Sequence, residues 1–120
     1  MSDSTAIKRQ LVIKTGVVKR LTKEEQTYIR EAQEQRQRIT NLEAQPDADE
    51  WNVKQQHKVL QDCLQMVPDC RRRLEAAVED LKLFAEGLDE ELAASLEAKA
   101  AQEALQGAEA AANEADGAEA

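Results

Sequence analysis

The sequence predicts an all-α fold, an elongated antiparallel three-helix bundle of the spectrin-like kind with left-handed coiled-coil packing. Three observations carry this. Apolar residues recur at alternating steps of three and four along most of the chain, which places them on one stripe of a helix. Only Tyr28, Trp51 and Phe84 are aromatic, so a core must come from Leu, Ile, Val and Ala, which suits thin seams between helices. Charged residues make up 33% of the 120, with two prolines and four glycines, a balance that favours long helices over sheet.

The first helix is expected over about 7–44. Its inward row is Leu11, Lys14, Val18, Leu21, Glu25, Tyr28, Ala32, Gln35, Ile39 and Leu42, with Val17 on one flank. Its start has two readings. The β-branched residues and Gly16 of "IKTGVV" suit a frayed or extended entry, whereas Ile7 and Leu11 continue the stripe. Thr22 and Glu25 spell a capping box, but inside a periodic run they form an ordinary surface pair.

"EAQPDADEWN" is the clearest break: Pro46 stops the first helix, Asp47 or Asp49 can cap the next, and Glu50 suits the positive end of its dipole. So short a connection makes the two helices antiparallel neighbours.

The second helix, expected over about 49–86, carries the strongest pattern: Val53, His57, Leu60, Leu64, Val67, Arg71, Leu74, Val78, Leu81, Ala85 and Leu88. A second row, Cys63, Cys70, Ala77 and Phe84, widens the stripe enough to meet two partner helices. The pattern keeps its phase through Pro68, so the helix is expected to bend there and continue. A restart at Pro68 is the competing reading, and Val67 would cap it poorly. Arg71 falls on the seam, while Arg72 and Arg73 face outward, where Asp69 and Glu75 can pair with them locally.

Gly87 offers a turn, and a third helix over about 88–106 carries Leu88, Leu92, Leu96 and Leu105 on an alanine-rich surface. Residues 107–120 are low-complexity and acidic, so the expected organisation is one bundle over 1–106 and a disordered or weakly helical tail.

Charge is uneven. Residues 1–45 hold nine Lys or Arg against six acids, net +3, and residues 46–120 hold seven against eighteen, net −11. A pI near 4.7 and the lack of stacking aromatics speak against nucleic acid. No 18-residue apolar run or basic-then-apolar leader appears, so no membrane is expected and the default is a soluble intracellular protein. Cys63 and Cys70, seven residues apart, sit roughly 10 Å apart along a helix, too far for a bridge and wrongly spaced for a metal. His57, the single histidine, lies on the stripe as a polar seam residue, and no nucleophile, base and orienting group assemble around it. The expectation is no catalysis and no cofactor: the protein works through its surface.

Two stretches add to this. "IKTGVVKRLTKEEQTYIREA" (13–32) and "MVPDCRRRLEAAVEDL" (66–81), with "WNVKQQHKVLQD" (51–62) between them, closely resemble the tubulin-binding cofactor A family over roughly 7–88. The resemblance implies a cytoplasmic, cytoskeleton-associated helical chaperone. Such a protein captures β-tubulin after its release from the chaperonin and keeps it competent for assembly into the α/β heterodimer, with other tubulin-folding cofactors as further partners. Lys19 and Arg20 in the first motif and Arg72, Arg73 and Glu75 in the second become the candidate partner-binding residues. The alternative is a generic helical scaffolding or coiled-coil interaction protein. Polar seam residues at Lys14, Glu25 and Gln35 argue against a long dimeric zipper, so a monomer is expected over a dimer.

Overall fold

The computed structural model describes residues 2–119, and among these the regular structure is helical, without strands. The order is α1 (Ser2–Glu43), α2 (Glu50–Glu86), α3 (Glu90–Ala93) and α4 (Leu96–Glu119). The all-α class predicted by the periodicity is the observed one. Met1 and Ala120, at the outer ends of the expected bundle and tail, lie outside the described residues.

Helix α1 runs unbroken through "IKTGVV", five residues earlier than the pattern alone suggested. Gly16 opposes this by about 1 kcal/mol and the β-branched residues by less. Burial of Leu11, Thr15 and Val18 outweighs that local reluctance, since most helical stability in proteins comes from packing an apolar face. Helix α2 is likewise continuous through Pro68, so the restart reading does not hold. Between them Asp49 Oδ1 accepts from Trp51 N at 3.0 Å, which selects Asp49 over Asp47 as the capping side chain.

The chain forms two compact units. The first joins the residues up to Lys23 with those from Arg72 onward, and the second is Glu24–Arg71.

In the first unit, Leu11, Val18 and Leu21 of α1 share one core with Leu74 and Leu81 of α2 and with Ala98, Ala101, Ala104 and Ala108 of α4. Val78, Phe84, Leu88 and Leu105 pack against it half-buried. Three helices thus supply this core, as the width of the α2 stripe required. The third helix departs from expectation. Leu96 is 79% exposed, because it precedes Ala101 by five residues and so points about 140° away from it around the helix. Leu92 is buried and Leu88 and Leu105 pack as expected, but the main buried row of α4 is alanine, continuing through Ala111 and Ala115. That row accounts for the helix over residues 107–119, the helical of the two states that composition allowed: alanine has the best helix propensity, and every third or fourth one is buried as far as Ala115. Short side chains also let helix axes approach closely.

The link into α4 is capped twice. Asp89 Oδ1 accepts from Leu92 N at 2.9 Å to start α3, and Ser95 Oγ accepts from Ala98 N at 3.2 Å to start α4.

The second unit consists of two helical segments, α1 from Glu24 and α2 as far as Arg71. Its pairs fix an antiparallel register: Glu43 with His57 at 3.4 Å, Gln35 with Gln56, and Glu25 with Arg71. Gln35 is buried and satisfied. Its Nε2 donates to Gln56 O at 2.9 Å and to Gln56 Oε1 at 2.8 Å, and its Oε1 accepts from Arg38 Nη1 at 3.0 Å.

Candidate partner-binding surface

Within the first unit, Lys14 Nζ donates to Asp80 Oδ2 at 2.6 Å and sits 5.4 Å from the Phe84 ring centroid. With α1 and α2 running in opposite directions, this pair sets the level of every residue on one helix against the other. Five or six residues further along α1, Lys19 and Arg20 come level with Leu74 and Glu75. Arg72 and Arg73 lie less than one turn beyond.

All five candidate residues are exposed and belong to this unit. They share a level but not a face. At about 100° per residue, Arg73 and Glu75 project to opposite flanks of the buried Leu74, with Arg72 further round. Lys19 and Arg20 are displaced from the buried Val18 by about 100° and 200°. The result is a charged belt of mixed sign rather than one patch.

A second feature lay outside those candidates. In the first unit the second row of α2 is put to use: Ala77 and Phe84 pack against the core to which α4 contributes. In the second unit the same row holds the buried Cys70 and, two turns before it, Cys63. Cys63 is half-buried there, flanked one turn either way by Val59, 46% exposed, and Met66, 36% exposed. Leu64, on the edge of the main seam, is also exposed. Apolar side chains stand in water along roughly two turns of α2.

Two side chains sit differently from their predicted places. His57 lies outside the seam, exposed beside Glu43, because position 57 falls at the edge of the arc that the α1–α2 pairing buries. Thr22 and Glu25 do not form a surface pair: Thr22 Oγ1 donates to Val18 O at 2.7 Å within α1, and Glu25 is wholly buried. Arg71 does occupy the seam, as its register required, with its Nε on Glu25.

Both cysteines are free thiols, Cys70 buried and Cys63 half-buried. Among the described residues, no group of three or more His, Cys, Asp or Glu side chains could hold a metal, and no helix is long and apolar enough to cross a membrane.

Comparison with known proteins bears on what such a surface meets. The profile of the family described as Tubulin binding cofactor A matches residues 6–105. Tubulin-specific chaperone A of Rattus norvegicus is 47% identical over 78 residues, which span 65% of this chain and 71% of that protein. The solved structure of human tubulin chaperone cofactor A superimposes with a TM-score of 0.71 at 41% identity, over 83% of this chain and 95% of that one. The crystal structure of tubulin folding cofactor A from Arabidopsis thaliana gives 0.77 at 32% identity, over 88% and 97%. A family match across most of the helical chain, with the same fold at substantial identity, leads to one conclusion: this chain belongs to the tubulin binding cofactor A family.

Proposed function

We propose that the chain is a tubulin-folding cofactor that captures β-tubulin intermediates after chaperonin release and holds them for assembly into the α/β heterodimer. The observation that carries this reading is the exposed apolar stretch of α2, Val59, Leu64 and Met66 around the half-buried Cys63, in a chain whose relatives are named tubulin-specific chaperones. A folding intermediate exposes apolar surface that would otherwise aggregate, and a stable apolar row of matching width can cover it. The action is stoichiometric. Binding lowers the free concentration of the aggregation-prone species and stabilises the bound one by mass action, with no bond made or broken.

The charged belt contributes selection rather than bulk affinity. Lys19, Arg20, Arg72 and Arg73 with Glu75 attract a surface of complementary pattern and disfavour others, as charged rims do. The chain acts as a monomer in the cytoplasm, ahead of the other tubulin-folding cofactors, and takes no small-molecule cofactor.

Co-elution with β-tubulin released from a chaperonin folding reaction, read on a native gel or by size exclusion, tests the proposal. The expected result is a discrete complex that lacks α-tubulin. Failure of the folded chain, shown helical by circular dichroism, to form any complex would overturn it.

A further inference from the structure

We infer that the α1 surface centred on Gly16 is a close-approach docking face for a helix of the captured subunit, one presenting small apolar side chains flanked by carboxylates. This rests on the tubulin-capture reading and adds the chemistry of one contact to it.

Gly16 sits inside a 42-residue helix at an exposed position. Its backbone is not what demands glycine, since no described glycine has a positive φ. Packing within the chain does not demand it either, because a Cβ built there meets nothing within 4 Å. The residue weakens the helix and returns nothing to the fold. What glycine does supply is the closest approach that another backbone can make to a helix, since the separation of two packed helices is set by the side chains at their crossing.

The surroundings say what approaches. One turn before Gly16 are Val12, 59% exposed, and Ile13, 52% exposed, and one turn after it are Lys19 and Arg20, both exposed. These four are its i±3 and i±4 neighbours, the residues that border it on the helix surface. Val12 and Ile13 leave apolar area in water, and as β-branched residues they do not favour the helix locally either. Lys19 and Arg20 make the other side of the crossing basic, within a segment of net charge +3 in a chain of net −8. A partner helix that fits has little bulk at the crossing, apolar groups over Val12 and Ile13, and acids over Lys19 and Arg20.

Gly107 of α4 supplies an internal contrast. A Cβ there also meets nothing within 4 Å. Its helical neighbours are Glu103, Ala104, Ala110 and Ala111, with no large exposed apolar side chain and no base among them. The same open glycine therefore lacks the chemistry that marks a docking face.

The experiment compares Gly16→Ala, Gly16→Leu, Gly107→Leu and Lys19→Glu/Arg20→Glu with the parent chain, each melted by circular dichroism and titrated against chaperonin-released β-tubulin. Both glycine-to-leucine variants are expected to melt at or above the parent, since leucine favours helix, both positions are exposed and a Cβ at either meets nothing within 4 Å. Gly16→Leu should weaken capture about tenfold or more, Gly16→Ala by less, and Gly107→Leu not at all. The charge reversal, which adds no bulk at the crossing, should weaken capture with a reduced dependence on salt. Capture by Gly16→Leu and by the charge reversal equal to that by the parent would overturn the inference and leave the capture reading standing. A parent chain that captures no tubulin would overturn both. Self-association of the parent, abolished by Gly16→Leu while capture is unchanged, would assign the face to a second copy and overturn the inference as stated.

Discussion

Arg71 Nε donates to Glu25 Oε2 at 2.8 Å across the second unit, and the Glu25 side chain is only 1% exposed while Arg71 keeps 27%. The other carboxylate oxygen, Oε1, is buried without a hydrogen-bond partner. This layer does not maximise stability, because taking charges out of water costs much of what their attraction returns. Its effect is on register. Sliding α2 by one turn would leave Glu25 against Val67 or Leu74 in place of a guanidinium, so the antiparallel hairpin accepts one alignment.

Removing one partner of this pair should therefore be worse than removing both. Arg71→Leu is expected to destabilise the fold by about 2–4 kcal/mol, because it strands a buried carboxylate, whereas Glu25→Leu with Arg71→Met should match or exceed the parent. Urea unfolding of the three chains decides it, and equal losses in the single and double variants would contradict the account.

Pro68 gives a prediction of opposite sign. It lies inside a continuous α2 and is exposed, so Pro68→Ala restores a backbone donor and should raise stability by about 1–3 kcal/mol. If the proline is retained because it bends α2 to fit tubulin, the stabilised variant will capture β-tubulin less well. A rise in melting temperature with undiminished capture would show that capture does not depend on Pro68.

Val59→Glu with Met66→Glu tests the exposed apolar stretch. Both side chains are exposed in the second unit, so helicity and melting should hold within about 0.5 kcal/mol. Capture of β-tubulin should fall by about tenfold or more, because a carboxylate placed against apolar surface must be desolvated without a partner.

Charge reversal at Arg72 and Arg73 addresses the belt. The expected outcome is weaker capture carried mainly by slower association, steeper at low salt, with the far-ultraviolet spectrum unchanged. Stopped-flow association at two ionic strengths reads this directly. Rates that do not move would exclude these arginines from the encounter.

Helix α4 supplies a fourth stability test. Ala104 is buried where the alanine row meets α1 and α2, so Ala104→Leu should cost about 1–3 kcal/mol by overpacking, despite leucine's ordinary helix propensity. Thermal melting checks it, and a neutral result would mean that the seam is looser than its burial indicates.

Legibility varied with residue type. The α2 seam could be followed residue by residue because large apolar and charged positions alternate with helical period, and Arg71 was placed on it correctly. Helix α4 could not, since a segment in which alanine fills both inner and outer positions has no contrast for the eye to find. Leucines were a partial guide there: Leu92 is buried and Leu88 and Leu105 pack against the core, but Leu96 points outward and the main buried row is alanine. His57 was misplaced for a different reason. The pattern records a helix's angular preference but not how wide an arc its neighbours bury. The same gap hid Leu64, which lies on the predicted stripe and is exposed. The candidate charged residues were all found on the surface, but their arrangement as a belt required the register that Lys14 and Asp80 reveal.

The alanine row of α4 has one further consequence. Each buried alanine contributes a single methyl, worth about 0.8 kcal/mol, where a leucine would contribute about two to three times as much. The last helix is consequently joined to its neighbours by contact that is close but shallow. Amide deuterium and proteases should find their way in there first, before α1 and α2 yield anything, so the molecule comes apart from its carboxyl end.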